Sequence, residues 1–354
     1  MGRPERRPAL PGGPLHHRPG PPGGPRLGAG GTLVTAPRIL VLRALGLGDL
    51  LTAVPALRAL RRAAPRHEIV LAAPRRLADA VHATGAVDRL LPAEAPAREV
   101  PAVLPWTGLA PDLAVDLHGN GPASRDPLAA LNPGRLIAYA APGAPRWRPD
   151  DHERLRWCRL LTAHGIPADP DDLLLPAPDT ICAVPCATIV HPGADAPARR
   201  WPAERFALVA RSLHAAGHHV VVTAGRGEAD LARQVAASAG LPGHAVLGGE
   251  GDIPFPQLAA LVARARAVVV GDTGVAHLAT ACGTPSVVLC GPVSPAIWGP
   301  PAGRVHQVLW HPAPDDGVRP GDAHGTRPDP RLLRITPAEV LAAVERLPVH
   351  AEHP

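Results

Sequence analysis

Short segments of the chain place hydroxyl, carboxylate and basic side chains directly after an apolar run and before a helical pattern. One such segment runs from Val268 to His277, with Asp272, Thr273 and Gly274 at the turn. The free backbone N–H groups at a helix start attract anions, and glycine lets a phosphate approach the backbone. Thr273 could also donate its hydroxyl hydrogen. An ordinary helix cap by Asp272 or Thr273 explains the same residues equally well.

Two further segments have the same strand, glycine turn and helix order. Residues 191–202 contain the adjacent Arg199 and Arg200, and arginine binds phosphate with paired hydrogen bonds. A solvated arginine pair is the alternative. Residues 223–228 end at Glu228, which could accept hydrogen bonds from ribose hydroxyls or lie in an ordinary first helical turn.

A fourth segment begins like a dinucleotide-binding loop. Gly46 and Gly48 match its first two glycines, but Leu51 occupies the third glycine position. No acidic residue closes the next strand, which weakens an oxidoreductase interpretation. Asp49 falls where a helix N-cap belongs, so the helix start should keep it ionised and able to accept a proton.

The elements around these segments alternate between short apolar runs and amphipathic stretches. This order predicts parallel sheets covered by helices on both faces. Ligands of such sheets bind at the carboxyl ends of the strands, where all four segments lie. The predicted strands cover residues 38–43, 68–73, 112–117, 135–140, 187–191, 219–223, 267–270 and 286–289, and the predicted helices start near residues 49, 75, 151, 202, 227, 256, 274 and 336.

A chain of 354 residues exceeds the usual size of one hydrophobic core, so two domains are expected. We predict two Rossmann-like doubly wound α/β domains facing across a cleft. The expected divisions are a disordered Pro/Gly/Arg-rich tail over 1–36, an acceptor-side domain over 37–170, a linker over 171–186, a donor domain over 187–335, and a C-terminal helix and tail over 336–354.

The charge distribution argues against a nucleic-acid partner. The net charge is +5, but five arginines and one glutamate lie within residues 1–30, so most of the excess belongs to the tail. Every basic residue is arginine, so arginine must take any anion-binding role. The five cysteines are irregularly spaced, and no apolar run reaches the length needed to cross a bilayer. We therefore expect a cytoplasmic protein.

The order of these segments resembles glycosyltransferase family 9, the heptosyltransferase-like enzymes with the GT-B fold. The resemblance covers about residues 38–300. It is moderately specific at Gly48-Asp49 and the Pro55-Ala56-Leu57 that follows, and highly specific from Gly271 to Pro300. It also includes residues 191–206 and 225–228.

The resemblance implies an inverting transfer from a nucleotide-diphosphate sugar, such as ADP-heptose, to a hydroxyl of a cell-envelope glycan or glycolipid. Asp49 matches the catalytic base. Asp272, Thr273, Gly274 and His277 match the donor-diphosphate motif. Glu228 matches the residue that holds the ribose, and Arg199 or Arg200 stands where the family often has lysine. Gly48, Asp116 and His118 are assigned to the acceptor side, with a strand-end turn as the alternative for the last two.

A helix start and an arginine can neutralise a diphosphate, so we expect neither a metal nor a bound cofactor. The Asp171-Asp172 and Asp315-Asp316 pairs, and the arginines at 154, 156 and 159, are expected to be solvated. The donor and the acceptor are the expected partners, together with a peripheral contact at the inner membrane face, and the protein is expected to be a monomer. A non-catalytic nucleotide-sugar binding protein and an NAD-dependent oxidoreductase stay open as alternatives.

Overall fold

A computed structural model describes residues 36–96 and 99–348. The predicted disordered tail lies outside these residues, apart from Ala36. The first sheet comprises strands β1 (Arg38–Leu42), β2 (Glu68–Ala73), β3 (Arg89–Pro92), β4 (Leu113–Asp116) and β5 (Arg135–Ile137). They are parallel and lie in the order β3-β2-β1-β4-β5, with β1 at the centre. Central β1 is apolar after Arg38 and buried, as a strand covered on both faces requires.

The helices of this half are α1 (Leu47–Thr52), α2 (Val54–Ala63), α3 (Ala78–Ala83), α4 (Pro122–Ala129) and α5 (Glu153–Ala163). One continuous helix was predicted from Asp49, but the chain breaks between α1 and α2 at Ala53. Pro55 lacks a backbone N–H and therefore cannot continue the ladder of α1, whereas it fits the first turn of α2. The break makes α1 a short helix at the carboxyl end of β1.

The second sheet comprises strands β6 (Thr188–His191), β7 (Val220–Ala224), β8 (Val246–Gly248), β9 (Ala267–Gly271), β10 (Ser286–Leu289) and β11 (His306–Leu309). They are also parallel, in the order β11-β10-β9-β6-β7-β8. The helices are α6 (Ala203–Ala215), α7 (Ala229–Ala239), α8 (Phe255–Ala263), α9 (Gly274–Ala281), α10 (Pro295–Trp298), α11 (Pro330–Arg334) and α12 (Pro337–Glu345). Between Ala163 and Thr188 the chain forms no helix or strand.

The C-terminal helix α12 begins as the sequence predicted. Thr336 accepts a hydrogen bond from the Glu339 backbone N–H, and the Glu339 carboxylate accepts one from the Thr336 backbone N–H. Val340 and Val344 are buried with the residues of the second sheet. Trp201 packs edge-on against Phe206 in the same core and donates its indole N–H to the Ile335 carbonyl. Among the described residues, no helix is both long and apolar enough to cross a membrane.

Candidate active site

The carboxyl ends of the two sheets border a cleft of about 1010 Å³. The first half contributes the β1–α1 turn and the start of α3. The second half contributes the ends of β6, β7 and β9. The predicted site residues that line the cleft are Gly48, Asp49, Arg199, Glu228, Asp272, Thr273, Gly274 and His277. Four segments that are far apart in the chain therefore meet at one cleft.

Asp49 lines the side of the cleft formed by the first sheet. It lies within the first turn of α1 and not at the N-cap position that was predicted. Gly46 is the N-cap of α1, because its extended backbone (φ −85°, ψ −179°) precedes the first helical residue. Asp49 is the third helical residue, and its Oδ2 accepts a hydrogen bond from the Gly46 N–H at 3.0 Å. The N-cap assignment of Asp49 was therefore wrong. The helix start still orients the carboxylate, but through the side-chain half of a capping box.

Arg43 supports this turn and was not recognised from the sequence. Its side chain is 1% exposed, and its Nε donates to the Asp49 carbonyl at 2.6 Å. Nη2 contacts Glu153 Oε1 at 3.0 Å and lies 3.8 Å from Asp49 Oδ1. Burial opposes ionisation of Glu153, but the charges of Arg43 and Arg156 outweigh it and hold the pKa of this carboxyl below its usual value. The buried ion pair fixes α1 against α5.

On the opposite wall, Thr273 is the N-cap residue of α9, but its side chain makes no capping hydrogen bond. Its hydroxyl is buried and has no hydrogen-bond partner among the described residues, and the residue lines the cleft. A capping role would have used this oxygen. The unused hydroxyl and the adjacent start of α9 favour the anion-binding interpretation over the cap.

Asp272 and His277 form a half-buried pair beside this turn and both line the cleft, with Asp272 Oδ1 3.8 Å from His277 Nε2. Burial raises the pKa of Asp272 despite the nearby His277 and Arg199, and burial lowers the pKa of His277 despite the nearby Asp272. The His277 ring also packs edge-on against Trp298, at 5.8 Å between ring centres. The imidazole is therefore held in place on several sides.

The tips of α1 and α9 touch, and this α1–α9 contact leaves no room for side chains at two glycines. A Cβ added to Gly48 would lie 2.6 Å from His277 Cδ2, and a Cβ added to Gly274 would lie 3.2 Å from Leu47 Cβ. Both distances are shorter than an ordinary carbon–carbon contact. The contact brings Asp49 and the turn at Thr273 to the same part of the cleft.

The two neighbouring arginines point in different directions. Arg199 lines the cleft, and its Nη1 donates to the Asp272 carbonyl at 3.3 Å. Its Nε and Nη2 are buried and have no hydrogen-bond partner among the described residues, although Nη2 lies 3.9 Å from the exposed Asp195 carboxylate. Arg200 instead donates its Nε to the Ala194 carbonyl at 2.8 Å, and its Nη2 lies 3.9 Å from Glu228 Oε1. Arg199 is therefore the arginine with unused donors at the cleft.

Glu228 lies at the start of α7, where its Oε2 accepts a hydrogen bond from the Gly225 N–H at 2.9 Å. The carboxylate rests on the backbone of Gly193, since a Cβ there would lie 1.9 Å from Glu228 Oε2. Gly193 is thus required for the position of Glu228. The pair joins the ends of β6 and β7 at the cleft.

Asp116 and His118 do not line the cleft. Asp116 is fully buried, and its carboxylate accepts hydrogen bonds from the backbone N–H groups of His118 and Gly119 and from the Ser124 hydroxyl. His118 Nδ1 accepts the Ala44 N–H at 3.2 Å. These contacts fit the alternative, a turn that ends β4, and the acceptor-side assignment stays a prediction.

The expectation of solvated charge clusters was wrong in part, because Asp171 and Asp315 are exposed but the other charges have partners or are buried. Asp172 binds Arg58 and Arg62, and Asp316 binds Arg331 through both oxygens. Arg156 is 3% exposed and donates to three carbonyls as well as to Glu153. Arg154 and Arg159 pair with Asp171 and Asp151. Apart from the Arg156–Glu153 pair within α5, these partners are too far apart in sequence to give a helical periodicity.

Several cleft residues were not singled out from the sequence: Arg76, Asp79, His191, Asp252, Arg319 and His324. Most lie in turns without a recognisable motif. His191 begins the segment 191–202, and its position at the end of a strand could have identified it. Among the described residues, no group of three or more His, Cys, Asp or Glu side chains is placed to hold a metal ion.

Comparison with known proteins gives this site a context. The model of glycosyltransferase family 9 (heptosyltransferase) matches residues 177–317. Lipopolysaccharide heptosyltransferase 3 of Escherichia coli is 32% identical over 161 residues, which are 45% of this chain and 46% of that protein. Lipopolysaccharide heptosyltransferase 2 of Escherichia coli K12 is 31% identical over 164 residues, again 46% of each chain. The matched region thus spans about half the length of these relatives.

Solved structures extend the similarity to most of the fold. A family 9 glycosyltransferase from Veillonella parvula superimposes with a TM-score of 0.69 at 20% identity, covering 87% of this chain and 96% of that one. The ADP-heptose lipopolysaccharide heptosyltransferase II of E. coli gives 0.67 at 19% identity, covering 87% and 97%. The fold is therefore the predicted GT-B fold of two Rossmann-like domains. The family model and the sequence relatives confirm the resemblance to glycosyltransferase family 9, heptosyltransferase-like, and the solved structures confirm the fold.

Proposed function

We propose that this protein is an inverting glycosyltransferase. It moves a sugar, heptose or a similar one, from a nucleotide-diphosphate donor to a hydroxyl of a cell-envelope glycan or glycolipid. One observation carries the proposal: Thr273 Oγ1 and the Nε and Nη2 of Arg199 are buried without a hydrogen-bond partner among the described residues, at a cleft that Asp49 also lines. Buried polar groups normally have partners, and a diphosphate would supply them.

In the proposed reaction Asp49 accepts the proton of the acceptor hydroxyl as its oxygen attacks the anomeric carbon. The bond from that carbon to the diphosphate oxygen breaks, and the diphosphate leaves with the bonding electrons. Arg199, Thr273 and the free N–H groups at the start of α9 stabilise the departing charge. No metal is needed in this scheme, because a fixed cation and a helix start already face the leaving group. Glu228 accepts hydrogen bonds from the ribose.

Asp272 and His277 complete the donor wall. Their mutual contact and the packing of His277 on Gly48 and Trp298 hold the start of α9 against α1. We propose that both residues keep the turn at Thr273 rigid, so that its donors need little rearrangement when the charge develops.

The test is Asp49→Asn in an assay that measures nucleoside diphosphate release from ADP-, UDP- and GDP-sugars in the presence of envelope glycolipid and glycan extracts. We expect unchanged donor affinity, and turnover lower by about 10²- to 10⁴-fold, the usual contribution of a general base. Asp126→Asn, an exposed carboxylate paired with Arg125, is the matched control and should retain full turnover.

Each competing interpretation has its own outcome. Turnover by Asp49→Asn at the wild-type rate would refute the assigned base. Donor binding without any turnover by the wild-type protein would favour the non-catalytic binding protein. Thermal stabilisation by NAD(H) but not by nucleotide sugars would favour the oxidoreductase. Retained configuration at the anomeric carbon of the product, determined by NMR, would refute the inverting mechanism.

A further inference from the structure

His191 is a buried side chain at the cleft to which the proposed mechanism gives no task. It is the last residue of β6, it is 8% exposed, and it lines the cleft beside Thr223 and Glu228. Its Nδ1 lies 3.1 Å from the Thr223 carbonyl oxygen and 3.0 Å from the Thr223 hydroxyl. A histidine fixed by two contacts at the floor of a ligand cleft is placed to meet the ligand.

The contact with the Thr223 carbonyl determines which ring nitrogen is protonated. A carbonyl oxygen only accepts hydrogen bonds, and the Thr223 hydroxyl can accept as well, so we assign the ring proton to Nδ1. Burial lowers the pKa of His191, despite the nearby Glu228 carboxylate, and keeps the ring neutral. A neutral ring with its proton on Nδ1 has a lone pair on Nε2, which makes Nε2 a hydrogen-bond acceptor.

No hydrogen bond to Nε2 comes from any residue that the structure describes. Because Nδ1 is turned to Thr223, the opposite edge of the ring is left for the cleft. Glu228 is its acidic neighbour there, held on the Gly193 backbone. Both side chains line the cleft and both can accept hydrogen bonds from hydroxyl groups, of which a ribose presents an adjacent pair.

We propose that His191 is a further donor-binding residue that accepts a hydrogen bond at Nε2 from one ribose hydroxyl, beside Glu228. The inference rests on the proposed function, since it assumes a ribonucleotide donor. The protein would then prefer ribose over deoxyribose through two acceptors, the uncharged Nε2 of His191 and the carboxylate of Glu228.

The test compares nucleoside diphosphates with their deoxy forms. ADP, UDP, GDP and CDP are first titrated by calorimetry to find the base that binds, and its 2′-deoxy and 3′-deoxy diphosphates follow. In the wild-type protein, removal of the hydroxyl that meets His191 should weaken binding about tenfold, as expected for a lost hydrogen bond with a buried group left unpaired.

His191→Asn is the informative variant, because its amide can still donate to Thr223 whereas nothing replaces Nε2. We expect this variant to bind the ribonucleotide about tenfold more weakly than the wild type does. It should bind one deoxy form as tightly as it binds the ribonucleotide. His191→Gln, which can place an amide oxygen near the position of Nε2, should recover part of the discrimination. If His191→Asn folds poorly, as judged by its melting temperature, the Gln variant still tests the inference.

His218→Asn is the matched control. His218 also contacts a threonine through Nδ1, at 2.8 Å from Thr188 Oγ1, but Thr188 begins β6 at the opposite end of the sheet from the cleft. This control should bind like the wild type. Equal discrimination against both deoxy forms in wild type and His191→Asn would overturn the inference alone. Failure of the wild type to bind any of the four diphosphates would overturn the inference and the proposed function together.

Discussion

Replacement of Gly48 by alanine should separate turnover from donor binding. The added Cβ would lie 2.6 Å from His277 Cδ2 and 3.3 Å from His277 Nε2. The His277 ring cannot easily withdraw, because Trp298 and Asp272 pack against it. The backbone of Gly48 itself accepts alanine, since its φ lies outside the left-handed region.

The magnitude follows from two opposing effects. Alanine in place of glycine favours a helix by about 0.8–1.0 kcal/mol, and somewhat less near a helix end. Overpacking a close contact costs about 1–3 kcal/mol. With mid-range values of about 2 and about 0.9 kcal/mol, the steric effect exceeds the helical one by about 1 kcal/mol, and by about 2 kcal/mol at most, which displaces α1 and Asp49 from α9. We expect kcat/KM to fall about fivefold, and about 30-fold at most. The affinity for the nucleoside diphosphate should stay unchanged, because its proposed contacts lie on the second sheet.

The assay combines steady-state kinetics with calorimetric titration of the nucleoside diphosphate. Gly48→Ala is measured alone and together with His277→Ala, which removes the ring that the new methyl group would strike. In the His277→Ala background the glycine substitution should cost little, so the two changes should not be additive. Gly317→Ala, where the new methyl group would meet open space, is the control. Wild-type kcat/KM in Gly48→Ala, or the same loss in both backgrounds, would refute the steric argument.

Three further expectations follow from the contacts. Arg199→Gln should weaken nucleoside diphosphate binding about 10- to 150-fold in calorimetry, whereas Arg200→Gln should weaken it less than about threefold; similar losses would contradict the assignment of Arg199 to the phosphates. Thr273→Val should weaken the same binding about tenfold without lowering the melting temperature, because its hydroxyl makes no hydrogen bond in the folded chain. Burial lowers the pKa of His118 and His306 to about 4 in the folded state, from the usual histidine value of 6.5. As the pH falls, the unfolded chain therefore binds protons before the folded chain does. The free energy of unfolding should therefore decrease as the pH falls from about 6.5 to 4, by at most about 1.4 kcal/mol per pH unit for each histidine, and a Gln substitution at either position should flatten a plot of melting temperature against pH.

The sequence predicted the central strands of both sheets well, because strands buried on both faces are continuous apolar runs. The strands it missed, β3, β8 and β11, all lie at sheet edges. Edge strands are covered less and paired on one side only, so they are short and carry no strong apolar signal. The helix α4 was missed as well, since Pro122 and Pro127 disguise its pattern.

The candidate site was predictable where one local segment contains both the strand end and the functional residue, as at Thr273 and Glu228. The directions of the two arginine side chains were not predictable. Nothing in the sequence distinguishes Arg199 from Arg200, and the turn after β6 determines which of them faces the cleft. Arg43 was missed for a different reason. Its partner Glu153 lies 110 residues away in the chain, so only the folded structure reveals that the two charges neutralise each other.

That separation has a consequence for the order in which the protein can be synthesised and folded. Arg43 emerges from the ribosome with the first strand, while Glu153 is added only after all strands of the first sheet. A buried guanidinium without its carboxylate is strongly destabilising. The Asp49 carboxylate alone offers Arg43 only a longer contact, at 3.8 Å, so we expect the first sheet to close stably over Arg43 only after α5 has been made. A nascent chain that stalls before Glu153 would then be more open to proteases and chaperones.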